Sequence, residues 1–270
     1  MIAPPIPALS KRFELLGVPI SVLNLETAVS AVRFLVDERR RRLQGTYICV
    51  RDVNGIVECQ RDSALKDIHK RAALVTPDGM PVVWWGRLTG HADVNRVAGS
   101  DLMMEICRRS VEFGFRHFFF GGEEGVAEDL ARKLGARFPG LSVVGTWTPP
   151  FRSLTVEERA QVIEAINRSG ADIVWVGLGA PKQERFMADI APELTGAVLV
   201  GVGAAYDFLS GRKPRAPRWL QRSGLEWLFR LATEPRRLWR RYLVNNSVFL
   251  WLLARHLMGG SRSVSRPNVT

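Results

Sequence analysis

A carboxylate in a tight turn at the end of a buried strand is well placed to act as a general base, and Thr76-Pro77-Asp78-Gly79 offers one. The turn follows Ala73-Leu74-Val75, a short apolar run that reads as a strand. In open α/β sheets ligands bind beyond the carboxyl ends of the strands, so Asp78 can face a cleft and take a proton from a hydroxyl. The competing reading is an Asx-type turn, with Asp78 bonding only its own backbone. The other strand ends carry Val50-Arg51-Asp52, Gly121-Gly122, Gly145-Thr146-Trp147, Gly177-Leu178-Gly179-Ala180 and Gly201-Val202-Gly203-Ala204. Glycines there let a ligand approach the backbone, and the helix N-termini that follow offer free N–H groups to phosphate. The turns before Glu123 and before Pro181 are two places for a nucleotide diphosphate; tight strand–helix packing explains the same glycines. Gln183, at the mouth of the helix opened by Pro181, can bond a sugar hydroxyl, and Glu184 beside it favours the helix dipole. Asp207, just past the last strand, can accept from a ribose or base, or cap the next turn.

Other chemistries find no support. His69, His91, His117 and His256 are scattered, and Cys49, Cys59 and Cys107 lack metal-ligand spacing, so neither a structural zinc site nor any other metal is expected. Neither a Gly-Lys-Ser/Thr phosphate loop nor a Gly-x-Ser-x-Gly nucleophile motif occurs. The dinucleotide fingerprint is incomplete, because Gly177-Leu178-Gly179 continues to Lys182 where a third glycine belongs.

These turns must be positioned by alternating elements. Strands are expected at 46–50, 73–75, 117–120, 141–145, 171–176 and 197–202. Helices are expected over 54–71, over 100–113 with Ser100 as N-cap, and over 123–138. Others are expected over 155–168, with Thr155 and Glu158 as a capping box, and over 181–190. Such alternation implies an α/β fold with a mainly parallel, Rossmann-like sheet flanked by helices. Beyond the punctuated stretch Gly211–Pro217, residues 218–230 and 235–257 read as two further helices.

Charge divides the chain. All of the net +11 is accounted for by residues 211–270, which hold 13 basic and 2 acidic side chains. A neutral globular body, 1–210, is thus followed by a basic appendage, 211–270. Its arginines alternate with Trp219, Trp227, Trp239 and Trp251, the pattern of a helix lying on an anionic membrane surface. The longest apolar stretch, Ser247–Met258, is broken by Arg255 and His256 and is too short to span a bilayer. Met1–Ser10 lacks the charged and apolar regions of a signal peptide, and an odd number of cysteines suits a reducing compartment. A nucleic-acid-binding protein is the rival suggested by the charge, a nucleotide-binding dehydrogenase the rival suggested by the glycines, and a non-catalytic nucleotide-binding protein of the same fold a third. Against the first, no zinc-finger or RNA-recognition signature accompanies the basic segment.

Five segments together carry a family resemblance: Thr76-Pro-Asp-Gly-Met-Pro-Val-Val, Arg96-Val-Ala-Gly-Ser-Asp-Leu, Phe119-Phe-Gly-Gly, Val176-Gly-Leu-Gly-Ala-Pro-Lys-Gln-Glu and Gly201-Val-Gly-Ala-Ala-Tyr-Asp-Phe-Leu-Ser-Gly. The sequence resembles the WecG/TagA/CpsF glycosyltransferases, glycosyltransferase family 26, over roughly Phe13 to Phe249. The resemblance implies an inverting, metal-independent transfer from a UDP-sugar, the substrate, with no cofactor. The implied acceptor is an undecaprenyl-diphosphate-linked saccharide, used in exopolysaccharide or cell-surface glycan synthesis. A peripheral enzyme on the cytoplasmic face of the inner membrane, with room for homo-oligomers, is implied too. It makes Asp78 the general base, with Arg96 and Gln183 beside it. Asp207 then contacts the nucleotide, beside the turns read above as diphosphate sites (Gly121, Gly122 and Gly179), and Arg230, Arg237 and Arg240 of the appendage close over the diphosphate. One segment departs from the family. Its better-known branch carries Thr-x-Asn where this chain reads Arg51-Asp52 followed by Asn54. Asp52 and Asn54 would lie near the sugar or acceptor, so N-acetylmannosamine, glucose and glucuronic acid all stand as donor sugars.

Overall fold

The computed structural model describes residues 11–260. Met1–Ser10, where no signal peptide is expected, and the last ten residues of the basic appendage lie outside the described residues.

The chain opens with a hairpin the sequence reading did not foresee, β1 (Arg12–Leu15) and β2 (Val18–Ser21). Its two-residue turn is Leu16-Gly17, both at positive φ (54° and 74°), as the twist of a tight hairpin requires. Leucine is rare in that conformation, so the usual Asn-Gly or Asp-Gly signal is missing. The helix α1 (Leu25–Arg42) follows, opened by a capping box in which Asn24 pairs with Thr27 rather than with the usual Glu or Gln.

All six expected strands form and make one parallel sheet. They are β3 (Thr46–Arg51), β4 (Leu74–Pro77), β5 (Arg116–Gly121), β6 (Ser142–Trp147), β7 (Ile173–Gly177) and β8 (Val198–Gly201), in the order β4-β3-β8-β7-β5-β6. Helices cover both faces, which is why the central strands read as unbroken apolar runs; Ile173, Val174, Trp175 and Val176 are all 0% exposed. One face of the sheet packs on α2 (Val53–Arg61), α3 (Ser63–Arg71), α4 (Met80–Leu88), α7 (Val156–Ser169) and α8 (Lys182–Ile190). The other packs on α1, α5 (Gly99–Phe113) and α6 (Val126–Arg137).

The order of strands matters for function. After β5 the chain moves outward to β6, and after β7 it moves inward to β8. Neighbouring strands whose connections leave in opposite directions create a crevice at their carboxyl ends, the usual ligand site of such sheets. Here that crevice lies between Gly121 and Gly177, which are partners in the sheet register.

Several expected helices are altered in detail. The single helix expected over 54–71 breaks at Asp62, which leaves helical geometry (φ −138°) and caps α3 through the Leu65 N–H. The N-cap of α5 is Ala98, not Ser100, which lies buried within the first turn. The stretch 218–230 divides into α10 (Arg218–Arg222) and α11 (Glu226–Thr233), after the short helix α9 (Ala205–Leu209). Gly224, at φ +76°, makes the break; a Cβ there would meet the Trp84 ring at 2.9 Å. Beyond α11 come α12 (Pro235–Trp239), a π-helical turn at Arg240–Val244, and α13 (Asn245–Gly260).

Most of the basic appendage is applied to the body. Leu238, Tyr242 and Phe249 are buried, and α13 lies against α2. Its outer side exposes Trp219, Trp239, Leu243, Leu250, Trp251, Leu257 and Met258. Among the described residues no helix is long and apolar enough to cross a membrane.

Candidate active site

Asp78 sits directly after β4, where its N–H donates to the Arg51 carbonyl at 2.8 Å and continues the β3–β4 pairing. The sheet thus holds the turn, and Arg96 holds the side chain. Arg96 Nε donates to the Asp78 carbonyl at 2.7 Å, and Nη2 donates to Asp78 Oδ1 at 3.2 Å. The same guanidinium reaches Glu226 Oε2 at 2.6 Å and Gln221 Oε1 at 3.2 Å, tying the turn to α10 and α11. Burial pushes the Asp78 carboxyl up to about 6; Arg96 opposes this, and Glu226, Asp52 and Asp101 add to it.

Asp52 behaves oppositely. Burial would raise it, but Arg241, the Gly55 N–H and Arg51 outweigh that and hold it at about 2. Its two oxygens are both engaged: Oδ1 accepts from the Gly55 N–H at 2.9 Å and caps α2, while Oδ2 accepts from Arg241 Nη2 at 2.8 Å. The two neighbouring carboxyls are thus driven apart, Asp78 above the ordinary carboxylate range and Asp52 below it.

Both open into one cavity of about 460 Å³, which Asn54, Arg96 and Arg230 also line. Its outer wall is apolar: Trp84, Trp85 and Leu88 from α4 face Phe249, Leu250 and Leu253 from α13. Asn245 Nδ2 donates to Asn54 Oδ1 at 2.6 Å, a second tie between body and appendage.

Beneath the strand ends lies a buried polar layer. Arg51 and Glu184, 1% and 0% exposed, form an ion pair, and Gln183 Nε2 donates to Glu184 Oε1 at 2.8 Å. Gly55 makes room for this arginine, since a Cβ there would lie 2.5 Å from Arg51 Nη1. Glu184 is therefore more than the helix-dipole residue its position suggests. Gln183 is itself 3% exposed and does not line the cavity, although its Oε1 keeps no hydrogen-bond partner among the described residues. Removing one member of a buried pair strands the other. Arg51→Met is expected to cost about 3–5 kcal/mol of stability in a urea unfolding curve, and a loss within error of zero would show the pair to be dispensable.

The remaining expected residues lie at the crevice between β5 and β7 or on the appendage. A Cβ on Gly121 would meet the Gly177 backbone at 2.7 Å, and one on Gly122 would meet Val126 at 2.8 Å, so packing alone accounts for both. Gly179 differs: at φ +76° it has nothing within 4 Å above it. Neither α6 nor α8 has a side-chain N-cap; the Val126 and Gln183 N–H groups of their first turns donate to the Glu123 and Gly179 carbonyls, both at 3.0 Å. Tyr206 seals the floor, its hydroxyl donating to the Trp175 carbonyl at 2.9 Å. Asp207 pairs with Lys213 at 2.8 Å, and Lys213 with Glu234 at 3.0 Å. Arg230 links the two regions: it lines the Asp78 cavity, and its guanidinium lies 5.3 Å over the Phe208 ring of α9. Arg237 instead pairs with Glu234, Arg240 lies over Trp239, and neither lines the cavity. Arg241, which the sequence did not single out, is the arginine of that turn that reaches the site.

Taken together, fold and site define an α/β protein with a parallel sheet, a carboxyl gripped by an arginine at one strand end, and a crevice at the switch in strand order. The sequence profile of the Glycosyl transferase WecG/TagA/CpsF family matches residues 13–263, so the chain belongs to that family and is a glycosyltransferase. The chain is 32% identical over 183 residues to the N-acetylglucosaminyldiphosphoundecaprenol N-acetyl-beta-D-mannosaminyltransferase of Bacillus subtilis (strain 168). That match covers 68% of this chain and 69% of that protein.

Proposed function

We propose that this glycosyltransferase moves a sugar from a UDP-sugar to a hydroxyl of a polyprenyl-diphosphate-linked saccharide, inverting the anomeric centre without a metal ion. The observation that carries the reading is Asp78, a carboxyl raised to about 6 and gripped by Arg96 at the floor of a cavity. The acceptor is supported by the name of the Bacillus subtilis relative, which acts on a diphosphoundecaprenol-linked sugar. The exposed tryptophans and leucines of the appendage, set among arginines, suit a peripheral enzyme on the cytoplasmic face of the membrane.

In the proposed step the acceptor oxygen attacks the anomeric carbon from the face opposite UDP. A new C–O bond forms, the bond from that carbon to the diphosphate oxygen breaks, and the hydroxyl proton passes to Asp78. UDP leaves with the electron pair. Its growing charge meets Arg230, whose Nε is buried without a hydrogen-bond partner among the described residues, and the uncapped ends of α6 and α8. Asp207 and Gly179 are proposed to hold the nucleoside end. Asp52 and Asn54 face the sugars, and Asp52, paired with Arg241, keeps that arginine beside the reacting centre. Arg237 and Arg240 reach the diphosphate in this scheme only if the appendage shifts.

The test is a panel of UDP-sugars offered with a lipid-diphosphate monosaccharide: one donor should release UDP only when acceptor is present. Among the described residues no three His, Cys, Asp or Glu side chains are grouped to hold a metal ion. Turnover should therefore persist in excess EDTA; loss on chelation with recovery on adding Mg²⁺ or Mn²⁺ would contradict the metal-free scheme.

A further inference from the structure

A second cleft, of about 630 Å³, adjoins the Asp78 cavity. The two share Met80, Arg96 and Gln221, so the arginine that holds Asp78 borders both. Where the first is walled by apolar side chains, the second is walled by Arg87, Arg96, Arg215, Arg218 and Arg222, with Asp101 the one acid in its lining.

The charges are not matched. Arg96 is occupied by Asp78 and Glu226, and Arg215 by Asp101 at 2.7 Å. Arg87 donates only to neutral oxygens, the Val94 carbonyl at 3.2 Å and Asn95 Oδ1 at 3.3 Å. Among the described residues Arg218 and Arg222 have no ion pair and no side-chain hydrogen bond within the chain. Arg215 Nε is buried with no partner among the described residues. Three uncompensated guanidinium charges around one concavity repel each other unless an anion joins them, and arginine forks suit phosphate oxygens.

We infer that this cleft binds the diphosphate of the lipid-linked acceptor. The inference rests on the proposed transfer to a diphosphate-linked saccharide, and adds where that diphosphate lies. Inversion puts the donor diphosphate and the acceptor on opposite faces of the anomeric carbon, so the two diphosphates need separate sites. The acceptor's attacking hydroxyl must reach Asp78 while its own diphosphate hangs from the other end of the same sugar. An anion cleft one guanidinium away from Asp78 meets that requirement. The donor diphosphate keeps the crevice between β5 and β7, with Arg230. Five arginines, on α4, on the loop after it, on the segment before α10 and on α10, thus divide the labour with those farther along the appendage.

Farnesyl diphosphate, inorganic diphosphate and UDP serve as probes, titrated calorimetrically into the full-length protein and into Arg218→Ala/Arg222→Ala. The two side chains are exposed and unbonded, so the variant keeps the fold. It should bind farnesyl diphosphate and inorganic diphosphate at least tenfold more weakly and UDP within twofold of the parent. In turnover, KM for the lipid acceptor should rise at least tenfold, with kcat and the donor KM little changed. Unchanged binding of both diphosphates, or an equal loss for UDP, would overturn the assignment. Vesicles of phosphatidylcholine with phosphatidylglycerol separate the remaining source of phosphate: loss of vesicle binding alone would make these arginines headgroup contacts and overturn it as well. Failure of the glycosyltransfer reading shows elsewhere, as no acceptor-dependent UDP release by the parent protein.

Discussion

Asp78→Asn is expected to lower kcat by about 10²-fold or more, the usual worth of a positioned base, with folding intact. Asparagine keeps the shape and can still accept from Arg96 Nη2, so the geometry of the turn survives. Only the ability to take a proton is lost. Stability should not fall. The Asp78 carboxyl is raised in the folded protein from 3.8 to about 6, so the folded state holds its proton more tightly than the unfolded chain does. The stability tied to that proton is full below the unfolded value and is lost as pH rises through about 6. At pH 7.5 the asparagine variant escapes that loss, and its melting temperature should equal or exceed that of the parent. Near-normal turnover in such a well-folded variant would remove Asp78 from the mechanism.

Arg230→Ala is expected to have the next largest effect. The arginine lines the Asp78 cavity, and its guanidinium lies over the Phe208 ring. A contact made to charge that develops on the leaving group acts in the transition state, so its loss falls on kcat rather than on the donor KM. Loss of one such contact is worth about 3 kcal/mol, on the order of 10²-fold in kcat. Arg230→Lys keeps the charge but not the planar fork or the stacking, and should recover only part of the rate. If Arg230→Ala raises the donor KM with kcat unchanged, the arginine binds the donor uniformly and has no special role in the chemical step.

The strands were legible because a parallel sheet covered on both faces writes itself as apolar runs closed by glycine or proline, as in Ile173–Gly177 and Leu74–Pro77. The hairpin was not, because its turn is made by Leu16 in a conformation that leucine seldom takes. In the site, Asp78 and Arg96 could be singled out from their segments. What they do together depends on partners far along the chain: Glu226 lies 130 residues from Arg96, and Arg241 lies 189 from Asp52. Glu184 shows the same limit. Its place in a first helical turn explains it locally, and nothing nearby in sequence announces the buried arginine 133 residues away. The appendage arginines are hardest, because a helix turns about 100° per residue. A shift of one position separates Arg240, lying over Trp239, from Arg241, paired with Asp52.

The most direct measurement of the central claim is the pH dependence of kcat/KM between pH 5 and 8, which reports the ionisation of the free enzyme's base. Wild-type protein should show an ascending limb with an apparent pKa of about 6, the value set by burial of Asp78 beside Arg96 and its acidic neighbours. The residual activity of Asp78→Asn should lack that limb. A wild-type profile flat across this range, or the same limb persisting in Asp78→Asn, would contradict the assignment of Asp78 as the base.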